Sequence, residues 1–417
     1  LGLVGAVGAK LRDVVGKLKA RLAVIGYDVQ EIRVSHDIIP MATNTDELPS
    51  NNEFERINYL MDAGNRARKQ SEDNSVLALG VAAWISSKRT KVDAEHRSHS
   101  PKKAYIINSL KHPEEIARLR QIYPQGFYLL GVHSDHTRRS EYLVQEKRMT
   151  KEQAATLMER DEDEHLPHGQ RVRDTFHMSD FFVRLDANDD KLNESIWRIL
   201  DIIYGSPYLT PTFDEYAMFF AFAASLRSAD LSRQVGAVVA SQDELLSTGA
   251  NECPRFAGGL YWAKLNDKTG AVQDEDQGRD YMRGQDANRS QQIRMIEDIV
   301  KIGKEEGIDA QKLKATLERS PITDITEYGR AVHAEMEALL CCARNHISTR
   351  GATLYCTTFP CHNCAKHIIA AGIQRVVYIE PYPKSRAAEL HDDAVSLGFD
   401  ANRSEERRLG KECVSEC

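Results

Sequence analysis

The chain has 417 residues, 41% of them hydrophobic and 28% charged, with a net charge of −7 at pH 7. That length has room for roughly two or three domains and a full core. The acidic balance disfavours a surface that tracks nucleic acid throughout. No apolar run approaches roughly 18 residues, so no membrane span is indicated. Eight cysteines in so long a chain do not make a disulfide framework, which points to a reducing, cytoplasmic location. No signal peptide is visible, and because the chain opens on Leu1 rather than Met, the natural N-terminus is expected to be missing.

Residues 1–11 read as a strand entering a Gly-rich turn, with a helix running on to Leu22. Gly2, Gly5, Gly8 and Lys10 are the expected nucleotide-binding residues, because such a turn lets backbone N–H groups close on a phosphate at a helix N-terminus. The pattern G-x-x-x-x-G-K-S/T is not met. Leu11-Arg12 stands where a Lys-Ser/Thr pair is required, so the Mg²⁺-binding hydroxyl is missing. Segments 104–110, 126–132 and 180–185 read as further strands, and their alternation with helices implies a parallel α/β sheet. Arg138-Arg139 and the acidic run 160–164 flank a helical segment. His133, His136, His165, His168 and His177 lack metal-ligand spacing. Asp189-Asp190-Lys191 and Gly205-Ser206-Pro207 read as linker chemistry. Residues 1–200 resemble nucleoside and nucleotide kinases with a degenerate phosphate loop (Walker A), the 138–164 region matching their lid. A tight strand–helix turn with no ligand is the alternative.

The second half opens near Thr212. Segment 214–226 reads as a helix buried on most sides, and 234–240 with 245–251 as a β-hairpin. A polar insertion, about 255–328, carries a helical stretch near 291–306 and is expected to be a lid or an oligomer contact. His333-Ala334-Glu335 begins a helix, 353–358 reads as a strand, 361–371 as a helix stopped by Gly372, and 375–380 as a strand. Strand, helix, strand at this length implies a right-handed parallel crossover. His333, Cys361 and Cys364 supply three ligands of the kind Zn²⁺ takes, leaving a fourth position for water. The two cysteines lie i, i+3 on the first turn of a helix, where the helix dipole and the metal both favour thiolate. Glu335 can reach a metal-held water without itself binding the ion. A structural zinc knuckle would need a second pair of ligands, and a redox pair would not need His333 or Glu335. Glu337 is expected to be solvated or to stand behind the site, His362 is not at a ligand position, and Cys341 and Cys342 are expected in the core.

The H-x-E…P-C-x-x-C spacing resembles the signature of zinc-dependent nucleobase deaminases. Residues 228–237, 249–254 and the two metal segments resemble deoxycytidylate deaminases in order and spacing, over 212–402. The resemblance implies a cytidine-deaminase-like α/β/α domain with Glu335 as the proton carrier. It also implies that Asn251 contacts substrate sugar and base, the backbone N–H near Ala334 meets the pyrimidine carbonyl, and Lys384 meets phosphate. Glu252 and Cys253 depart from the Gly and small residue usual after that Asn. Both halves together resemble the bacterial antiphage deoxycytidylate deaminases, which deplete deoxycytidine nucleotides during infection. The implied activity is hydrolytic deamination of dCMP or dCTP. A homo-oligomer is implied, as is a nucleotide or inhibitory RNA on the N-terminal domain. Three alternatives stand beside it: a housekeeping dCMP deaminase for thymidylate supply, a nucleotide-sensing regulatory protein, and a deaminase of cytosine or adenosine in nucleic acid. Aromatics at 7% disfavour the last, which needs stacking platforms. Residues 403–417 look like translated adapter DNA and are expected to be a non-native tail, a charged disordered tail being the alternative.

Overall fold

The computed structural model describes residues 1–43, 52–88, 102–162, 168–185, 189–284, 286–325, 327–380, 385–396 and 411–412. The chain divides into two units, Leu1–Thr210 and Pro211–Cys413, just beyond the expected Gly205-Ser206-Pro207 linker. Among the described residues no helix is long and apolar enough to cross a membrane.

In unit 1, β1 (Gly2–Gly5) feeds the Gly-rich loop and α1 (Leu11–Val24). There follow β2 (Asp28–Arg33), α2 (Glu53–Ser71), α3 (Val76–Lys88), β3 (Lys103–Asn108), α4 (Pro113–Ile122), β4 (Leu129–His133), α5 (His136–Gln145), α6 (Lys151–Glu162), β5 (Phe181–Arg184) and α7 (Asp189–Ile203). The strands lie in the order β2-β3-β1-β4-β5, every pair parallel. This is the parallel α/β sheet expected for the first half. Leu3, Ile106, Leu130 and Val183 pack with Val14 and Leu18 of α1 and Ile196 and Leu200 of α7.

Two features of unit 1 differ from expectation. The polar strand β2 carries no strand signal in the sequence. It is an edge strand with only Ile32 buried, so it lacks the apolar run that marks an interior strand. Asp189-Asp190-Lys191, expected as linker, instead opens α7. The two carboxylates suit the positive end of a helix, and Leu192, Ile196, Ile199 and Leu200 bury one helical face behind them.

Unit 2 begins with α8 (Phe213–Ser225), whose N-terminus is closed by a reciprocal capping box between Thr212 and Glu215. Its Asp214 accepts hydrogen bonds from Tyr355 Oη at 2.7 Å and Arg375 Nη1 at 2.8 Å. The hairpin is β6 (Gly236–Ser241) and β7 (Glu244–Ala250). The insertion holds a short ribbon (Lys264–Leu265 with Val272–Gln273), then α9 (Ala287–Glu305) and α10 (Ala310–Leu317). Then come α11 (Ala334–Arg344), β8 (Thr353–Thr358), α12 (His362–Ala370), β9 (Arg375–Glu380) and β10 (Lys411–Glu412). The sheet order is β10-β9-β8-β6-β7. β8 and β9 are parallel, as the crossover through α12 requires, while β6 runs antiparallel to both β8 and β7. β10 lies in the segment expected to be a non-native tail and pairs parallel with β9.

The helix expected to be buried on most sides buries only one face. Ala217, Met218 and Ala221 of α8 meet the sheet, whereas Phe219 is 62% and Phe222 54% exposed. Small residues on the inner face permit a close approach, and the aromatic residues are turned outward.

Two hairpin glycines set how near the helices come. A Cβ on Gly236 would fall 1.8 Å from the Ala221 carbonyl oxygen, and one on Gly249 would fall 2.1 Å from the Ala334 oxygen and 2.6 Å from the Ala338 nitrogen. Gly236 pairs with Ala250 and Gly249 with Ala237, so the two glycines open opposite faces of the sheet. α8 closes on one face and α11 on the other. The insertion is tied down as well. Arg279 is buried between Glu252 and Asp274, at 3.5 and 3.1 Å. Arg330 pairs with Asp280 at 2.5 Å.

Gly249→Ala is expected to cost about 2 kcal/mol or more through overpacking, read as a lower urea midpoint at unchanged slope. Arg279→Ala leaves Glu252 and Asp274 without their cation and is expected to cost about 3 kcal/mol, measured in the same way.

Candidate metal centre

His333 is the N-cap residue of α11, and Cys361 is the N-cap residue of α12, with Cys361 Sγ accepting from the Cys364 backbone N–H at 3.4 Å. The two helix starts therefore bring their side chains to one point. His333 Nδ1 lies 3.4 Å from Cys361 Sγ and 3.3 Å from Cys364 Sγ. All three ligand atoms lie within 4.8 Å of one another, and this is the single such group among the described residues. Tetrahedral zinc with ordinary N and S bond lengths would set N···S distances of about 3.5 Å, so the residues fit the ion. Both cysteines are free thiols.

The electrostatics of the trio suit a cation. The hydrogen bond from Cys364 holds the Cys361 thiol down at about 4, with His333 helping. The Cys361 sulfur in turn raises His333 to about 9, against the effect of burial. The Cys364 thiol is pushed well above its usual value, first because it donates to Cys361 and then by burial. The direction of these shifts makes Cys361 the readier thiolate, and a metal ion would displace the protons the trio holds. Glu335, buried in the first turn of α11, has its carboxyl raised by desolvation, while the His333 charge pulls the other way.

Asn251, expected at the substrate, is buried and fastens the loop before β6. Its Oδ1 accepts from the Val235 N–H at 2.7 Å and its Nδ2 donates to the Arg233 carbonyl at 2.7 Å. Ala334 is fully buried at the first turn of α11. Lys384 lies outside the described residues. Glu337 is neither solvated nor free: it is buried and ion-paired with Arg344 at 2.5 Å. Cys342 is in the core and donates to Ser247 Oγ at 3.1 Å. Cys341 is half-buried on the same helix.

Glu252, noted in the sequence only as a departure, has a structural task. Its carboxylate accepts from the backbone N–H groups of Ala229 at 3.0 Å and Cys253 at 2.8 Å. Its main chain bridges to Val332, the residue before His333, in both directions. Nothing local could have revealed the ties to Ala229 and Val332, which lie 23 and 80 residues away. Burial pushes the neighbouring Cys253 thiol up to about 11, which makes it a poor metal ligand.

Of the four residues expected at the Gly-rich loop of unit 1, Gly5 and Gly8 line a cavity. Gly2 is buried inside β1 against Leu110 and Phe127. Lys10 turns away to Glu146 and lies over the Tyr142 ring, 5.0 Å from its centre. The lysine at the loop is Lys111, which arrives after β3 and donates to the Gly5 carbonyl at 2.9 Å. Arg139 and Asp161, expected in a lid, are instead buried against the loop.

The family model for the cytidine and deoxycytidylate deaminase zinc-binding region matches residues 211–380. Deoxycytidylate deaminase of Enterobacteria phage T2 is 49% identical over 55 residues, 13% of this chain and 29% of that protein. The enzyme of the same name from Mycobacterium phage D29 is 31% identical over 170 residues, 40% of this chain and 94% of that protein. That of Saccharomyces cerevisiae is 25% identical over 296 residues, 67% and 76% respectively. The chain thus spans less than a third of the T2 relative but nearly all of the D29 one. The family model runs across both metal segments and the D29 protein is matched almost end to end, so the chain belongs to the cytidine and deoxycytidylate deaminase family.

Proposed function

We propose that the protein is a zinc-dependent hydrolase that removes the exocyclic amino group of a deoxycytidine nucleotide, dCMP or dCTP, giving dUMP or dUTP and ammonia. The observation that carries this reading is the His333, Cys361 and Cys364 trio, with 3.3 and 3.4 Å between imidazole and sulfurs and the buried Glu335 on the same helix start. Relatives that bear the name deoxycytidylate deaminase support the substrate class. When bound by these three residues, Zn²⁺ supplies Lewis acidity that brings the pKa of a water it holds to about 7.

The rest is the work of the chain. Glu335 receives the proton of the attacking water and delivers it to ring N3, which makes C4 electrophilic. It then takes the proton of the C4 hydroxyl and passes it to the amino nitrogen, so that the C4–N bond breaks, the carbonyl forms and ammonia leaves. Burial of the carboxyl, which favours its protonated form, suits a group that must hold a proton between these two transfers. The Ala334 backbone N–H, at the start of α11, would orient the pyrimidine carbonyl. Asn251 acts by holding the 233–235 loop against the hairpin, with any substrate contact made from that fixed position. The resemblance to antiphage deaminases extends the reading to depletion of deoxycytidine nucleotides in phage defence by a homo-oligomeric protein.

Zinc-loaded protein, incubated separately with cytidine, deoxycytidine, dCMP, dCTP and a cytosine-containing single strand, is expected to form uracil product from dCMP or dCTP, followed by mass spectrometry. Product from the strand alone would refute the nucleotide reading. Glu335→Gln should retain one zinc per chain by metal analysis and lose turnover by about 10²–10⁴-fold. Cys361→Ser should lose the metal and the activity together.

A further inference from the structure

The fold of unit 2 leaves the outward face of α8 unused. Tyr216, Phe219, Phe222 and Leu226 are 44%, 62%, 54% and 74% exposed, although a surface helix ordinarily turns its large apolar residues inward. The inversion has a cause on the inner side. Gly236 admits the Ala221 backbone so closely that the inner face is built from Ala217, Met218, Ala221 and Ser225, and the rings are left outside. There they hold one another. The Phe220 ring meets Tyr216 and Phe219 edge-on, with centres 4.8 and 5.6 Å apart. No Lys, Arg, Asp or Glu occurs from Tyr216 to Leu226.

This face is complementary to itself. Tyr216, Phe219, Ala223 and Leu226 recur at spacings of three and four, the seam along which two helices pack. Against the same seam of a second copy, run antiparallel about a twofold axis, Phe219 comes over the partner's Ala223 and Tyr216 over the partner's Leu226. The half-buried Ala223 is the floor of the hollow that a ring needs. A parallel pairing would instead set ring on ring at one level and leave a gap at the next. The size is adequate. At about 200 Å² for a whole aromatic side chain, the four exposed residues present about 450 Å² on each copy. A symmetric pair then covers about 900 Å² before its rim is counted, close to the roughly 1,000 Å² of a specific interface. A charged partner would find no ion pair on this stretch, and a membrane surface is ordinarily met with Lys or Arg beside the apolar residues.

We propose that two copies of this chain associate through the outward faces of α8, antiparallel about a twofold axis. Such a contact uses one patch on both copies, so it closes at two and leaves no second patch for growth. α8 and α11 close on opposite faces of the sheet, so the pairing does not cover His333 or Glu335. It gives the homo-oligomer proposed above its contact, and it does not depend on the activity of the metal centre.

The test is sedimentation of the full, zinc-loaded chain over a concentration series, which is expected to give the mass of an even number of copies. Phe219→Glu and Ala223→Lys, each alone, should halve that mass, because each puts two unpaired charges into the contact. Mixing the two variants should restore it. The mixed pair sets the introduced carboxylate against the introduced ammonium at one crossing and keeps Phe219 against the partner's Ala223 at the other. One zinc per chain by metal analysis and an unchanged far-ultraviolet circular dichroism spectrum show that each variant folds. If either does not, Phe219→Ser, which removes the ring without adding charge, should raise the dissociation constant at least tenfold. A mass of one chain, or of an odd number, in the unmodified protein would overturn the proposal. So would variants that keep the full mass, and so would folded variants that stay apart when mixed. Lack of uracil product from a protein that passes these tests would count against the deaminase reading alone.

Discussion

The metal centre depends on how closely α11 can lie against the hairpin. Its ligands come from two helix starts, and a helix start can be aimed only as accurately as the helix is seated. Gly249 lets the backbone of α11 rest on β7 with no side chain between them. Gly236 does the same for α8 on the opposite face. The sheet becomes a thin plate with a helix pressed on each side, and its central strand β8 leads directly to Cys361. Cys361 then caps α12, so the residue that would hold the ion also sets the first turn of the helix that carries Cys364.

The approach to His333 is held with similar care. Glu252 bridges its main chain to Val332 and buries its carboxylate under Arg279, which belongs to the insertion. Arg330 reaches back to Asp280 at the other end of the same insertion. The polar insertion is thereby stitched to both sides of the segment entering α11. A long excursion of this kind costs little closure entropy beyond that of a shorter one, and here it supplies the cation that makes a buried carboxylate tolerable.

The candidate metal centre was legible in the sequence because ligand chemistry fixes residue type and spacing within one helical turn. His333, Glu335, Cys361 and Cys364 are local signals, and the strand, helix, strand pattern around them has strong periodicity. The α7 helix was hidden by its acidic start, although Leu192, Ile196, Ile199 and Leu200 carry the helical spacing. β2 was hidden because an edge strand need not be apolar. Pairs such as Glu252 with Arg279 or Lys111 with Asp161 join distant segments and leave no local trace. Lys10 misled for a related reason. Adjacency in the chain placed it beside the loop, while the fold brought a different lysine there from the neighbouring strand.

The filling of the Gly-rich loop by Asp161 bears on what unit 1 can do as a machine. A loop with its own carboxylate against Val7 meets an arriving anion with a like charge. A ligand taken up there could bias the unit only by its preference between the conformations it binds.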